Sequence, residues 1–454
     1  MAAELAQRTI IFVPFPAQGH VIPILHLARA LVDGGNVWVT VVVPDFIHRR
    51  MGQDSTIPGV SIESISSGIL DEVGDEAPGP AMILHAMEHH MPAQLEGMLT
   101  AQIGVGARRR ISCLVVDLLA SWAIPVAAQR GLPVVGFWPA MLATYRTVAV
   151  IPELVGKGFI SETGDGTCKD QFLKEQNIGD HNILPAMLGL RFKHLPWLVD
   201  STIPQQSRIR FWLQTVDRAK TLPSIIVNSF PGEGGDESNQ YNLPKDQQIL
   251  HVGPLLFNDT SKMTTTMTTT SMWQADQTCK EWLDNQSPGS VVYVSFGSWA
   301  SPVEPDKISG DHPLWRAGLP DDYMDRISSR GKIISWAPQD DVLRHQAVGC
   351  YIIHCGWNSV LEAVRHGVRM ICYPITADHF ITCAYVINMF EIGVALMSSD
   401  QSDVKDCIER VMDGEEGRRL QLKVNELRET ITVGEAMCVA KRDLSLFREN
   451  IRRR

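Results

Sequence analysis

The chain has 454 residues, of which 44% are hydrophobic and 20% are charged, and this length supplies enough apolar side chains for two or three domains. Its 41 lysines and arginines against 51 aspartates and glutamates give a net charge of −10, which argues against nucleic-acid or anionic-membrane binding. The nine cysteines lack the density of a disulfide scaffold, so we expect reduced thiols and a cytoplasmic protein without a membrane span.

The first half of the chain alternates short β-branched runs with helix-like stretches. Strands are predicted at 9–13, 37–43, 112–116 and 133–137. Helices are predicted at 21–33, 81–98 and 119–130. This order indicates parallel pairing in a doubly wound α/β sheet, and such sheets bind ligands beyond the carboxyl ends of their strands.

A threonine-rich polar tract divides the chain. Residues 257–279 have no hydrophobic period and are predicted to form an interdomain linker. Beyond it, strands are predicted at 290–296, 332–335, 349–353, 368–373 and 394–397. The sequence therefore predicts two Rossmann-like domains facing a cleft, at 1–256 and 280–435. A helix over 436–454 is expected to pack back on the N-terminal domain.

One segment, from Trp336 to His379, carries most of the chemical information. Within it, Tyr351-Ile-Ile-His-Cys-Gly-Trp-Asn-Ser passes from a strand through Gly356 into a helix. A glycine turn followed by a helix start is suited to an anion such as a diphosphate. No G-x-G-x-x-G follows a strand here, which argues against a nicotinamide dehydrogenase.

Metal sites are disfavoured in two places where the residue types suggest them. Cys350, His354 and Cys355 do not form a zinc site, because adjacent strand positions point to opposite faces of the sheet. His85 and His89 have i,i+4 spacing, but the H-E-x-x-H order of a zinc protease is absent.

The segment 336–379 resembles the signature box of plant-type family 1 UDP-dependent glycosyltransferases, which have the GT-B fold. Flanking matches are Phe15-Pro-Ala-Gln-Gly-His, Val252-Gly-Pro-Leu and Val291-Val-Tyr-Val-Ser-Phe-Gly-Ser. The resemblance implies that Trp336 stacks on uracil and that the Ala337 backbone reads the base edge. It implies ribose contacts from Gln339 and Glu362, diphosphate contacts from Ser298, His354, Asn358 and Ser359 beside Gly356, and sugar contacts from Trp357, Asp378 and His379.

A histidine and an aspartate follow two predicted strands. His20 lies just after the first strand, and Asp117 ends the strand Cys113-Leu-Val-Val-Asp, so both are expected at the carboxyl edge of the sheet. An imidazole can take a proton from a hydroxyl, and a carboxylate on its other nitrogen fixes the tautomer. Both positions match the catalytic pair of the resembling family. In that family, His85, His89, Trp122 and Trp138 fall in the region of the acceptor pocket, although simple packing explains each of them as well.

The chain departs from the family pattern at several positions. His379 ends the box where glutamine is common, so glucose is a first expectation, and galactose or a pentose stays open. Arg369 replaces the usual proline and Thr382 the usual asparagine. Residues 299–335 show no amphipathic helix, and four prolines interrupt them, so the C-terminal domain is predicted to lack one helix and one strand.

The sequence thus predicts a monomeric GT-B enzyme that uses neither a cofactor nor a metal. It would move a sugar, with inversion, from a UDP-sugar to a hydroxyl of a small lipophilic acceptor such as a phenolic, flavonoid or terpenoid. The alternative is a splice or gene-model variant that binds the UDP-sugar but transfers poorly, because of the shortened segment.

Overall fold

The computed structural model describes residues 7–33, 37–51, 57–69, 78–103, 109–159, 184, 186–191, 194–196, 205–233, 246–255, 275–298, 326–327 and 330–453. The chain divides into two compact units. The first comprises Met1–Glu72, Pro78–Met272 and Val433–Arg454, and the second comprises Val73–Ala77 and Trp273–Thr432. Within the described ranges, no helix combines the length and the apolar character needed to cross a membrane.

The first unit alternates strands and helices. Its strands are β1 Gln7–Val13, β2 Val37–Pro44, β3 Val60–Ile65, β4 Arg109–Asp117, β5 Val134–Trp138, β6 Ser224–Val227 and β7 Gln248–His251. Its helices are α1 Gln18–Val32, α2 Asp45–Arg50, α3 Pro80–His89, α4 Met91–Ile103, α5 Ala123–Gln129, α6 Leu142–Ala149, α7 Ile151–Gly156 and α8 Gln205–Lys220, followed at the far end of the chain by the last helix, Glu435–Arg453. Two short 3₁₀ turns lie at Leu118–Ala120 and Ala186–Leu188.

The strands of the first unit form one parallel sheet in the order β3-β2-β1-β4-β5-β6-β7. Strand β2 reads Val-Trp-Val-Thr-Val-Val-Val-Pro, and all of it except Trp38 is buried, as expected for a strand with helices on both faces. The chain order reverses beside β1, which pairs with β2 on one side and β4 on the other. A ligand site is therefore expected beyond the carboxyl ends of β1 and β4.

The last helix belongs to the first unit and packs against β7. The backbone N–H of His251 donates to the buried carboxylate of Asp443 at 2.9 Å. The Arg8 side chain of β1 donates to the carbonyl of Ile451. These bonds tie the end of the chain to both the middle and the edge of the first sheet.

The second unit has a smaller parallel sheet. Its strands are β8 Val291–Ser295, β9 Val348–Ile353, β10 Arg369–Cys372 and β11 Gly393–Ala395, in the order β11-β10-β9-β8. Its helices are α9 Thr278–Asp284, α10 Gln339–Arg344, α11 Trp357–His366, α12 His379–Ala384, α13 Gln401–Met412 and α14 Gly414–Thr432, so the last helix of the chain is α15, and a π-helical turn spans Tyr385–Met389. One core of this unit contains Cys350, Ile352, Ile371, Val394 and Leu420.

Two local predictions are wrong. Residues 332–335 form no strand, and Ile334 instead packs on a cluster that includes Leu283 and Val342, so its apolar character serves α9 and α10 rather than a sheet. The helix predicted over 81–98 is two helices that meet at His90. Pro92 explains this break, because proline is tolerated in the first turn of a helix but not in its interior.

Two further predictions fall largely outside the described residues. The linker at 257–279 overlaps the undescribed residues 256–274, and α9 begins at Thr278. The missing helix and strand concern 299–335, of which 299–325 and 328–329 are not described. In the part of the second sheet that is described, β8 pairs with β9 alone.

Candidate active site

His20 lies in the first turn of α1, at the carboxyl edge of the first sheet. Strand β1 ends at Val13, and a short turn containing Phe15 leads into α1 at Gln18. The His20 ring packs beside Phe15 at a centroid distance of 5.0 Å, and 22% of its side chain is exposed. The imidazole is therefore held on one side and accessible to a substrate on the other.

Asp117 is the last residue of β4 and is fully buried. Its Oδ2 lies 2.7 Å from Nδ1 of His20, and its Oδ1 accepts a 2.9 Å hydrogen bond from the backbone N–H of Leu119. Because both carboxylate oxygens are engaged, the orientation of Asp117 is fixed. An aspartate in this position favours the tautomer with a proton on Nδ1 of His20, which leaves the Nε2 lone pair as a base.

The four residues considered for an acceptor pocket have different environments. Trp138 is buried, and its Nε1 donates to the Met141 carbonyl and the Thr144 hydroxyl, both at 2.9 Å. Trp122 is also buried, and among the described residues its Nε1 has no hydrogen-bond partner. His85 and His89 are exposed and stack on each other at 4.5 Å. Of the four, Trp122 is the one with an unused buried donor.

A tight turn connects β9 to α11 in the second unit. After Ile353, the chain passes through His354, a left-handed Cys355 with φ 69°, and Gly356, which caps the helix. A Cβ added to Gly356 would lie 2.4 Å from Nε2 of His354, so only glycine fits there. A Cβ on Gly297, two residues after the end of β8, would lie 2.7 Å from the same nitrogen. The imidazole is thus closely flanked by two backbone segments.

His354 and His379 form a pair beside this turn. Their rings meet edge to face at a centroid distance of 4.9 Å. Burial lowers the pKa of His354 to about 4, and burial together with the nearby His354 lowers the pKa of His379. Both imidazoles are therefore neutral at physiological pH. Because the backbone N–H of Thr376 donates to Nδ1 of His379, the His379 proton resides on Nε2, which can donate to a ligand.

Gln339, the first residue of α10, lies at the centre of a hydrogen-bond network. Its Nε2 donates to the Ser359 hydroxyl at 2.9 Å and to the Glu362 carboxylate at 2.6 Å. Its Oε1 accepts from the hydroxyls of Tyr293 at 3.2 Å and Tyr351 at 3.1 Å. The network fixes the start of α10 against α11.

Sequence analysis missed both tyrosines. Tyr293 and Tyr351 stand opposite each other in the register of β8 and β9, and their rings are 4.7 Å apart. The only signal in the sequence was a tyrosine, with its polar hydroxyl, in each of two otherwise mostly apolar strands. A buried tyrosine hydroxyl needs a hydrogen-bond partner, and Gln339 Oε1 is the acceptor for both hydroxyls.

The carboxyl group of Glu362 has a raised pKa. Burial raises its pKa to about 7, although the hydrogen bond from Gln339 works in the opposite direction. Its carboxyl group therefore keeps its proton to a higher pH than an exposed glutamate does. A ligand that donates hydroxyl hydrogen bonds to it would favour the carboxylate form.

The other residues predicted to bind a donor occupy varied positions. Trp336 is half-buried, and its carbonyl accepts from the Asp276 N–H at 2.8 Å. Trp357 is buried as the first residue of α11, and Asp378 directly precedes α12. Residues with partial or full exposure are Ala337, Asn358 and Ser298. The structure thus joins Gln339, Ser359 and Glu362 in one hydrogen-bond network and brings the rings of His354 and His379 into contact.

Comparisons with known proteins identify relatives of the chain. Residues 262–428 match the family profile described as UDP-glucoronosyl and UDP-glucosyl transferase. UDP-glycosyltransferase 82A1 of Arabidopsis thaliana is 39% identical over 444 residues, covering 91% of this chain and 92% of the relative. The (R)-mandelonitrile beta-glucosyltransferase of Prunus dulcis is 28% identical over 456 residues, covering 92% and 91%.

Solved structures resemble the chain over its whole length. The crystal structure of UDP-glucose: anthocyanidin 3-O-glucosyltransferase in complex with UDP matches with a TM-score of 0.76 at 23% identity, covering 100% of both chains. Medicago truncatula UGT71G1 complexed with UDP-glucose matches with a TM-score of 0.74 at 21% identity, covering 99% of this chain and 100% of the other. At these identities the likeness concerns the fold.

Proposed function

Because the chain belongs to the plant family 1 UDP-dependent glycosyltransferases and shares their GT-B fold, we propose that His20 and Asp117 carry out an inverting sugar transfer. The sugar comes from a UDP-sugar, with glucose first, and goes to a hydroxyl of a small lipophilic acceptor. The observation that carries the proposal is the 2.7 Å contact of a buried aspartate with an accessible histidine at the reversal of strand order.

In the proposed reaction, His20 Nε2 takes the proton of the acceptor hydroxyl. The oxygen attacks the anomeric carbon from the side opposite UDP, the bond from that carbon to the UDP oxygen breaks, and the configuration inverts. Asp117 stabilises the imidazolium that forms, because its carboxylate accepts a short hydrogen bond from Nδ1–H and remains ionised. No resident cofactor takes part.

The second unit supplies the donor site in this proposal. Backbone N–H groups at the start of α11, with Asn358 and Ser359, would stabilise the negative charge that develops on the diphosphate. That arrangement makes a metal ion unnecessary. Trp336 would stack on the uracil, and Glu362 would accept hydrogen bonds from the ribose.

Two features bear on the choice of acceptor and sugar. The Prunus dulcis relative is named for glucosylation of (R)-mandelonitrile, a small molecule with one hydroxyl, and this supports a small acceptor for the present chain. His379 Nε2 offers a single donor where the family's glutamine offers both a donor and an acceptor, so the range of sugars is best tested directly. A sugar hydroxyl that must donate a hydrogen bond at this position would be bound by glutamine but not by His379 Nε2–H.

The test is a transfer assay on the full chain after treatment with EDTA. UDP-glucose, UDP-galactose and UDP-xylose are each incubated with phenols, flavonoids and terpenoid alcohols, and UDP release and product mass are measured. We expect metal-independent transfer to at least one acceptor class and a β-glycoside product from an α-linked donor. Binding of UDP-sugar without transfer in a single-turnover assay would favour the impaired alternative, and an α-glycoside would refute inversion.

A further inference from the structure

Three buried thiols converge behind the turn that connects β9 to α11. Cys355 lies in that turn, Cys372 ends β10, and Cys383 lies in α12. Their sulfur atoms all lie within 4.8 Å of one another, and the first two residues are fully buried while Cys383 is 8% exposed. Among the residues that the structure describes, this is the one group of three or more His, Cys, Asp or Glu side chains spaced to hold a metal ion.

The spacing of the sulfurs suits a three-coordinate ion. Metal–thiolate bonds are about 2.3 Å long, so three sulfurs around a trigonal ion are about 4.0 Å apart. The thiols of Cys355, Cys372 and Cys383 already lie within about 1 Å of this separation. Rotation of the side chains about their χ1 angles covers so small a distance.

We propose that Cys355, Cys372 and Cys383 form a binding site for a copper(I) ion. Thiolates are soft ligands that select copper(I) and zinc among common metals. Zinc takes four ligands in structural sites, and the described residues here provide three, all of them buried. A trigonal set of sulfurs therefore favours copper(I).

Proton release accompanies binding at this site. Each thiol that becomes a thiolate ligand forms a sulfur–copper bond and passes its proton to solvent, with no change in oxidation state. The positive end of the α11 dipole begins just after Cys355 and offsets part of the negative charge. Copper affinity therefore rises with pH.

Two other cysteines, one in each unit, provide matched controls. Cys350 is fully buried in β9, but it belongs to the apolar core with Ile352 and Ile371 rather than to the three-thiol group. Cys438 is exposed in α15. If copper were captured by any thiol, these two residues would bind it as well.

The test titrates the reduced full chain with copper(I) delivered as its bicinchoninate complex, without oxygen. We expect one tightly bound equivalent and an X-ray absorption spectrum with three sulfur neighbours at about 2.3 Å. Cys372→Ser and Cys383→Ser should each weaken copper affinity at least about 100-fold, since loss of even an outer-shell partner costs 10- to 100-fold. Cys350→Ala and Cys438→Ser should leave the affinity unchanged.

Melting temperature and UDP affinity show whether each variant is folded, and the stoichiometry and spectrum of the unmodified chain do not depend on any variant. Copper affinity that survives both Cys372→Ser and Cys383→Ser would overturn the proposal. So would its loss in Cys438→Ser, or a first equivalent with only two sulfur neighbours. A chain that takes no copper from bicinchoninate would show that the three thiols serve packing alone. The transfer assay is independent of each of these outcomes.

Discussion

Replacing Asp117 by asparagine removes the charge behind His20 and keeps the shape of the side chain. A hydrogen bond to a charged group contributes about 1.5–3 kcal/mol, and about 1.4 kcal/mol changes a rate tenfold. Loss of the 2.7 Å contact between the carboxylate and Nδ1 alone therefore lowers kcat about 10- to 150-fold. Asp117 is fully buried, so its charge is only weakly screened by solvent.

The amide also changes the tautomer of His20. Its oxygen is expected to keep the bond from the Leu119 N–H, which turns its NH₂ group toward Nδ1. Nδ1 must then accept a hydrogen bond, the proton moves to Nε2, and the base is lost. The same change in a Ser–His–Asp triad costs about 10,000-fold in kcat, so we expect a total loss between about 100- and 10,000-fold.

The assay is the initial rate of UDP release at saturating donor and acceptor. UDP affinity, measured by calorimetry, should be unchanged, because Asp117 belongs to the first unit and the predicted donor residues belong to the second. Asp33→Asn, at an exposed aspartate that follows α1, is the matched control. A kcat for Asp117→Asn within about threefold of the unmodified chain would refute the reasoning, since even the hydrogen bond alone contributes more than that.

Two further predictions concern the second unit. Gly356→Ala drives a Cβ to 2.4 Å from His354 Nε2, so we expect UDP affinity by calorimetry to fall at least about tenfold, whereas Gly97→Ala, where a Cβ meets nothing within 4 Å, should leave it unchanged. Equal affinities in the two variants would contradict this. Because the pKa of Glu362 is about 7 and ribose hydroxyls favour its carboxylate, UDP affinity should rise as the pH increases from about 6 to 8. Glu362→Gln should remove that rise, and a rise that persists in the variant would assign the titration to another group.

Much of the sheet architecture was predictable from local patterns, because buried parallel strands are continuous apolar runs. Strand β2 was predicted at 37–43 and spans Val37–Pro44, and β9 was predicted at 349–353 and spans Val348–Ile353. The strand prediction at 332–335 was wrong because two adjacent apolar residues can pack against helices as readily as they can lie in a strand. A single short sequence does not distinguish these two environments. The family and the fold are confirmed by the relatives and by the solved structures.

The candidate site was predictable where a reactive side chain lies at or just after the end of a strand. His20 and Asp117 were both placed at the carboxyl edge, although their contact depends on β1 lying beside β4, which the chain order does not dictate because β2 and β3 intervene. Contacts that depend on register or on folding across elements were missed. Tyr293 and Tyr351 meet only because β8 and β9 pair in one particular register. The three-thiol group joins a turn, a strand end and a helix, which no local spacing reveals.

The measurement that tests the central claim most directly is sugar transfer by His20→Ala, compared with the unmodified chain at saturating donor and acceptor. The account predicts that kcat falls at least about 100-fold, as expected for loss of a general base, while UDP affinity stays within about twofold. Retention of UDP affinity also shows that the variant is folded. Full transfer activity in His20→Ala would contradict the assignment of His20 as the base.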